Sequence, residues 1–265
     1  MITCPFFWVD AFTMGPFTGN PAGVCVLTAW PDDDCLQKIA QQNGLAETAF
    51  FVPLASGNYH LRWFTPAVEI DLCGHATLAS AHVLFNELNL ASDRVIFESI
   101  SGELRVNRLT SGNLALDFPS RPPNAAPLPA ELVTALGLAS NAVVWSGRAR
   151  DWFIVLAEEA EVLALEPDFS ALLALDTEKV IITAPGENVD FVSRFFAPTA
   201  GVDEDHVTGS AHCTLIPYWA DQLNRNHLEA RQLSRRGGHL VCEWQDDRVS
   251  IAGTAKTYIR GELTV

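Results

Sequence analysis

One carboxylate, Glu47, stands at the start of an apolar, β-forming run over residues 48–52. A carboxylate that enters an apolar strand loses part of its hydration, which suits it to accept a proton and return it. Gly44 indicates a loop between a helix and this strand, where catalytic groups often lie. Taken alone, the pattern is more typical of an edge residue whose carboxylate faces water. Glu47 is therefore a candidate general acid/base that needs support from elsewhere in the chain.

Two stretches, residues 74–86 and 206–220, contain no Asp, Glu, Lys or Arg. Each predicts a helix that is apolar on all sides and surrounded by the strands of its own half of the chain. The helices begin at Gly74 and Gly209, where unpaired N–H groups and the helix dipole create a positive end. One such glycine is more typical of a tight turn. Two helix starts facing one cleft, however, would hold an anion, most simply a substrate carboxylate.

Side chains that could transfer protons flank both helix starts. His75 follows Gly74, and a histidine can bind and release a proton near neutral pH. Asp205 precedes Gly209 and could hold a histidine or a substrate amine. The alternatives are structural: a hydrogen-bonding histidine at a helix start, and a capping serine at Ser210.

Other chemistries find weaker support. Asp71, Cys73 and His75 could suggest a metal, but alternating strand faces and a helix start seldom bring such residues together, and no fourth ligand is obvious. We therefore predict no metal site. Cys73 could act as a nucleophile or as one base of a racemase. A two-thiol racemase is disfavoured because Thr208, not cysteine, occupies the corresponding position in the second half. The chain has no GxGxxG, P-loop or GxSxG motif.

The elements that must position these residues follow from local patterns. Proline and acids at residues 31–34 open a helix with Leu36, Ile39 and Ala40 as its buried stripe, and Gly44 ends it. We expect the remaining helices at residues 74–88, 131–136, 168–175 and 209–222. We expect strands at residues 6–12, 23–27, 48–52, 59–64, within 94–117, at 142–146, 152–156, 179–183 and 189–196, and in the tail 239–265.

The two halves of the chain echo each other. A Phe-x-Pro triplet, acidic residues and a glycine-led helix start occur in this order in both. A Pro-rich segment, residues 119–129, lies near the middle and is the best linker candidate. We therefore predict two α+β lobes, residues 1–118 and 119–265. It remains open whether the last strand, near residues 257–265, crosses back to the first lobe.

Composition excludes several classes of function. The 265 residues are 48% hydrophobic and 18% charged, which disfavours intrinsic disorder. Lys and Arg number 17 and Asp and Glu 32, so the formal net charge of −15 disfavours nucleic acid as a partner. No secretory signal or membrane helix is evident, and the six cysteines are scattered. We expect a cytoplasmic protein with free thiols and no membrane partner.

Four segments together resemble the PhzF-like (phenazine biosynthesis) family of the diaminopimelate-epimerase-like fold. They are TGNPAGV at residues 18–24, LAETAF at 45–50, DLCGHATLA at 71–79 and EDHVTGSAH at 204–212. The resemblance covers essentially the whole chain. It implies an α+β fold of two similar lobes, each a strand barrel wrapped around a central helix, with the active-site cleft between them. It also implies a homodimer and no cofactor.

The resemblance further implies roles for individual residues. Phenazine-pathway members isomerise a dihydro-hydroxyanthranilate, and a glutamate matching Glu47 moves a ring proton within that molecule. Residues matching His75, Asp205 and Ser210 assist. We expect a small carboxylate as substrate, bound by a set of five residues: Asn20, Cys73, Gly74, Thr208 and Gly209. Two positions depart from the family pattern, because His206 replaces the usual proline and Ala46 replaces a hydroxyl residue.

The leading hypothesis is a cofactor-independent isomerase in which Glu47 shuttles one proton within a small carboxylate. A racemase or epimerase that uses Cys73 as one base is the second. A non-catalytic protein that binds carboxylates is the third.

Overall fold

The computed structural model describes residues 2–139, 141–175 and 179–265. The chain forms two compact units. The first comprises Met1–Phe118 together with Ile251–Val265, and the second comprises Pro119–Ser250. None of the described helices is long and apolar enough to cross a membrane.

Eighteen strands and six α-helices are defined in the described residues. The strands are β1 (Thr3–Ala11), β2 (Asn20–Val26), β3 (Glu47–Pro53), β4 (Tyr59–Phe64), β5 (Glu69–Ile70), β6 (Arg94–Ser99), β7 (Gly102–Arg108), β8 (Leu114–Pro119), β9 (Asn124–Ala125), β10 (Val143–Arg148), β11 (Trp152–Leu156), β12 (Val180–Pro185), β13 (Phe191–Ala197), β14 (Val202–Asp205), β15 (His227–Gln232), β16 (Gly238–Gln245), β17 (Arg248–Gly253) and β18 (Ala255–Thr264). The helices are α1 (Asp33–Asn43), α2 (Gly74–His82), α3 (Ala130–Ala135), α4 (Glu159–Leu163), α5 (Phe169–Ala174) and α6 (Gly209–Leu223).

The strands of the first unit surround helix α2. β1 pairs antiparallel with β2 and β18, β2 runs parallel to β3, and β3 is antiparallel to β4. β4 pairs antiparallel with β5 and parallel with β6, and β6 is antiparallel to β7. α2 packs against β1, β2, β3, β7 and β18, and all nine of its residues are buried. This confirms the predicted helix that is apolar on all sides.

The two buried hydroxyl residues of α2 are satisfied by the helix itself. The hydroxyl of Thr77 donates to the carbonyl of Cys73 at 2.5 Å, and that of Ser80 donates to Ala76 at 2.8 Å. Such bonds to the preceding turn remove the penalty of burying a hydroxyl. The helix continues as a π-helical turn, Val83–Glu87, rather than as the regular helix predicted to residue 88.

Helix α1 matches the sequence prediction closely. Asp32 caps it by accepting a hydrogen bond from the N–H of Cys35 at 2.8 Å, and Leu36, Ile39 and Ala40 are buried. Gly44 ends the helix in the left-handed conformation with φ of 64°, a geometry that glycine adopts without strain. The chain is thereby turned directly into β3, at whose first position Glu47 stands.

The second unit repeats the pairing order of the first. β11 runs parallel to β12, β12 is antiparallel to β13, and β13 pairs antiparallel with β14 and parallel with β15. β15 is antiparallel to β16. The same order of pairings joins β2 to β7. Helix α6 follows β14 as α2 follows β5, and ten of its fifteen residues are buried. The motifs that occur in both halves of the sequence therefore reflect a repeated fold.

A proline within α6 ties the Pro-rich segment to the second unit. Pro217 has no N–H, so the carbonyl of Cys213 four residues earlier has no helical partner. The N–H of Arg121 donates to that carbonyl at 2.8 Å, and the N–H of Ser120 donates to Asp247 at 2.8 Å. The segment expected to be a linker is therefore held in place by backbone hydrogen bonds.

The elements of the second unit that local patterns did not predict include α4 and β15. α4 has only five residues, too few to show a helical period, and a capping box formed by Glu158 and Glu161 marks its start. β15 carries polar side chains at alternate positions. It precedes residues 239–265, the tail in which strands are predicted.

Candidate functional site

Strand β3 places Glu47 next to the buried core of the first unit. Glu47 pairs with Ala22 of the parallel strand β2, and the next residue, Thr48, is fully buried. The Glu47 side chain is 13% exposed. The carboxylate is therefore largely, but not completely, removed from water, as the sequence predicted.

Helix α2 brings His75 to this carboxylate. His75 is the second residue of the helix and is 3% exposed. Its Nε2 lies 3.0 Å from Oε2 of Glu47. This separation is that of an ion pair when the ring is protonated. The two residues, 28 positions apart in the sequence, are thus brought into direct contact.

Asn20 holds the other side of the histidine ring. It is fully buried at the start of β2, and its Nδ2 lies 3.1 Å from Nδ1 of His75. An amide can present either its nitrogen or its oxygen to Nδ1, depending on the protonation state of the ring. When Nδ1 accepts from the amide, the proton of the neutral ring lies on Nε2, and a fully protonated ring carries a proton there as well. Asn20, expected to bind substrate, therefore orients His75.

Cys73 completes the cluster. Its Sγ lies 3.5 Å from Nδ1 and 4.0 Å from Nε2 of His75, and the residue is 5% exposed. Burial raises the pKa of the Cys73 thiol, and the charge of Glu47 raises it further. A thiol with a raised pKa stays protonated near neutral pH and is a poor base.

The charges around His75 favour its protonated form. Burial lowers the pKa of His75, but the charges of and hydrogen bonds with Cys73 and Glu47 outweigh it and raise the pKa well above its usual value. Of these two neighbours, Glu47 is the one that raises the pKa of His75 near neutral pH, because the Cys73 thiol keeps its proton and is uncharged. A protonated His75 would place a positive charge 3.0 Å from Oε2 of Glu47.

The buried helices α2 and α6 both begin without a side-chain cap. No side chain caps the helix at Cys73, so the first N–H groups keep their capacity to donate. The start of α6 likewise has no side-chain cap at Thr208. Gly74 and Gly209 are the first residues of these two helices.

In the second unit, a network of hydrogen bonds holds Asp205 and Thr208. The hydroxyl of Thr208 donates to Oδ2 of Asp205 at 2.6 Å. Gln232, 1% exposed on β15, accepts from the N–H of Thr208 at 2.8 Å. Its amide also donates to the carbonyl of Asp205 at 2.8 Å and to the hydroxyl of Thr208 at 3.0 Å. Gln232 therefore fixes the turn that leads into α6.

Sequence reasoning missed Gln232 because nothing in its neighbourhood distinguishes it from an ordinary strand residue. Ser210, the second residue of α6, is half-buried. His212 is fully buried and donates from Nδ1 to the carbonyl of Thr208 at 2.8 Å. The structure thus collects Asn20, Glu47, Cys73 and His75 within the first unit, and Asp205 and Thr208 within the second.

Metal donors also meet in the first unit. One ligand atom each from Glu47, Cys73 and His75 lies within 4.8 Å of the other two. The sequence pattern had suggested Asp71 as the partner of Cys73 and His75. The structure supplies Glu47 from strand β3 instead.

Comparison with known proteins places these features in a family. The family model for the phenazine biosynthesis-like protein PhzC-PhzF matches residues 9–261. An uncharacterized isomerase of Pseudomonas aeruginosa is 49% identical over 257 residues, which cover 97% of each chain. The crystal structure of a phenazine biosynthesis protein of the PhzF family from Enterococcus faecalis is 48% identical. It covers 100% of both chains with a TM-score of 0.94.

The fold extends to a more distant enzyme. A hydroxyproline epimerase from Agrobacterium vitis superimposes with a TM-score of 0.66 at 9% identity, over 98% of this chain and 92% of that one. At such identity the likeness concerns the fold alone. The comparisons confirm the predicted fold class, and the isomerase name of the Pseudomonas relative confirms the expected class of enzyme. The chain belongs to the PhzC-PhzF family of phenazine biosynthesis-like proteins.

Proposed function

We propose that the protein is a cofactor-independent isomerase that moves one proton within a small, dihydro-hydroxyanthranilate-like carboxylate, with Glu47 as its general acid/base. One observation carries this proposal. Glu47 is largely buried and accepts a 3.0 Å contact from a histidine whose other ring nitrogen is held by Asn20. A carboxylate that lies beside a fixed histidine and is partly shielded from water is equipped to take a proton from carbon.

The reaction would proceed in two steps. The Glu47 carboxylate removes a proton from a ring carbon, and the electron pair of the broken C–H bond enters the conjugated system. Oε2 stays in contact with His75, and Oε1 carries the proton. Glu47 then returns the same proton to another carbon, and no net proton is gained or lost.

The substrate carboxylate needs donors that do not titrate. The uncapped start of α2, whose first residue is Gly74, offers backbone N–H groups of this kind. The family resemblance adds a role in carboxylate binding for Gly209. Assistance by Asp205 and Ser210 and substrate contacts by Cys73 and Thr208 are parts of the same proposal, drawn from the family resemblance.

Replacement of Glu47 by Gln tests the proposal. Carboxylates that stabilise the folded chain in a thermal-shift screen, with a dihydro-hydroxyanthranilate included, would be assayed for isomer formation. We expect Glu47→Gln to lower kcat by at least about 10²-fold, the usual contribution of a general acid/base. Glu103→Gln, at an exposed position of β7, should behave as wild type. Unchanged turnover in folded Glu47→Gln protein would exclude the role.

Heavy water separates this reaction from racemisation with Cys73 as a base. A proton held by Glu47 should return in part without exchange, so product formed in deuterium oxide should be incompletely labelled. Complete labelling, together with loss of activity in Cys73→Ser, would instead support the racemase. Ligand binding without turnover of any bound acid would support the non-catalytic alternative.

A further inference from the structure

The Glu47, Cys73 and His75 side chains offer three donors of different chemistry at one point. The thiol, the imidazole and the carboxylate are the ligands that zinc uses in proteins. His75 Nε2 lies 3.0 Å from Glu47 Oε2 and 4.0 Å from Cys73 Sγ. The three ligand atoms all lie within 4.8 Å of one another. The spacing can therefore be compared with the edges of a zinc tetrahedron.

Zinc bond lengths set those edges. With Zn–S near 2.3 Å and Zn–N and Zn–O near 2.0 Å, tetrahedral angles put the sulfur and nitrogen roughly 3.6 Å apart and the nitrogen and oxygen roughly 3.3 Å apart. The observed separations of 4.0 and 3.0 Å differ from these values by a few tenths of an ångström. The sulfur and the carboxylate oxygen lie within 4.8 Å of each other, against roughly 3.6 Å in a zinc tetrahedron, so side-chain rotation would close the third edge.

The surroundings suit a bound cation. Cys73 and His75 flank the start of the buried helix α2, and Glu47 opens the central strand β3, so the backbone positions of the ligands are fixed. Asn20 is placed to accept the Nδ1 proton of a ligating histidine through its amide oxygen, a contact that orients metal-binding histidines. Glu47 is the most exposed of the three, with 13% of its side chain accessible.

We propose that Glu47, Cys73 and His75 form a site for a thiophilic divalent cation, with Zn²⁺ as the best match, and that the bound cation inhibits the enzyme. The thiolate selects zinc over magnesium and calcium, which prefer oxygen ligands. Binding releases the Cys73 thiol proton and the His75 Nε2 proton to solvent. The inhibitory consequence depends on the proposed role of Glu47, whereas the binding itself does not.

Cobalt(II) provides a test that needs no substrate. The reduced, metal-free full chain would be titrated with Co²⁺, because a thiolate–cobalt bond produces a charge-transfer absorption band. We expect one equivalent to bind with this band, and Zn²⁺ to displace it. Cys73→Ala should abolish the band, and Asn20→Leu should weaken binding about tenfold, as expected for loss of a contact that orients a ligand. Cys35→Ala, which changes the one cysteine that is not buried, should bind as wild type.

Several outcomes would overturn the site. They are binding of less than half an equivalent, no thiolate band, or a band that survives in Cys73→Ala. If Cys73→Ala fails to fold, His75→Gln replaces it, with the same loss of cobalt affinity expected. The inhibitory part is tested separately: one equivalent of Zn²⁺ should stop turnover of any substrate found. Continued turnover by zinc-loaded protein would overturn inhibition while leaving the site itself intact.

Discussion

In the proposed reaction His75 must direct Nε2 at Glu47, and Asn20 is the neighbour that holds the ring in this orientation. Loss of the amide would leave Nδ1 of a buried ring without its 3.1 Å partner. We expect Asn20→Leu, similar in volume but without hydrogen-bonding groups, to lower kcat about tenfold, which corresponds to roughly 1.4 kcal/mol. The expected signature is a changed pH–rate profile. A loss of stability with unaltered kinetics would contradict the orienting role.

A second residue-scale prediction concerns His212, whose burial lowers its pKa to about 4, partly opposed by its bond to the carbonyl of Thr208. An unfolded histidine titrates near 6.5, so the unfolded chain binds more protons between these values. The contribution of neutral His212 to the free energy of unfolding is therefore complete above about pH 6.5 and is lost as the pH falls towards 4. From pH 7 to pH 5, wild type should lose about 2 kcal/mol more unfolding free energy than His212→Asn.

Urea denaturation at the two pH values measures this difference, and all other titrating groups are common to both proteins. Equal losses in wild type and variant would show that His212 does not stay neutral in the folded state.

The sequence identified most of the site residues by type, but not their contacts. Two local patterns, an apolar strand and a glycine-led helix, predict Glu47 and His75 as candidate site residues. Their 3.0 Å contact depends on the pairing of Glu47 with Ala22 and on the path from β5 into α2, which no local pattern encodes. For the same reason the sequence could not show that Asn20 supports His75, or that Glu47 approaches Cys73.

At the level of elements, the turn between β14 and α6 depends on one glutamine of β15. Gln232 makes three hydrogen bonds to Asp205 and Thr208 while almost fully buried. We expect Gln232→Leu to lower the unfolding free energy by about 2–3 kcal/mol, because it leaves buried backbone groups without partners. Urea denaturation provides the measurement. Gln222→Leu, at an exposed position of α6, is the control and should differ from wild type by less than about 0.5 kcal/mol.

Strong local signals made many elements predictable, and weak ones explain the failures. α1 has a capping aspartate, a clear apolar stripe and a terminal glycine, so both its ends were found. β4 and β11 match their predicted ranges. α4 is too short for a period, and the π-helical turn after α2 arises from packing that the sequence pattern does not reveal.

At the level of the whole molecule, the repeated order of strand pairings explains why similar motifs occur twice. Each unit builds a glycine-led helix after a short antiparallel strand, so the duplicated sequence pattern has one structural cause. The two helix starts have diverged in their side chains. The first carries Cys73 and His75, and the second carries Thr208 and Ser210.

The family resemblance leads us to propose a homodimer. Light scattering at micromolar concentration should give twice the 28.9 kDa mass of the chain. A single-chain mass at these concentrations would contradict the proposal. Since the net charge of −15 opposes association at low ionic strength, the measurement belongs at about 0.15 M salt.

The pairing of β1 with β18 has a consequence for synthesis on the ribosome. β18, residues 255–264, forms the outer neighbour of a strand that begins at residue 3. A nascent chain that has emerged as far as residue 118 would expose one edge of β1 until these late residues are translated. Such an edge can recruit another chain. A translation pause before residue 255 should therefore increase the dependence of folding on chaperones. This holds even though Asn20, Glu47, Cys73 and His75 have been translated long before.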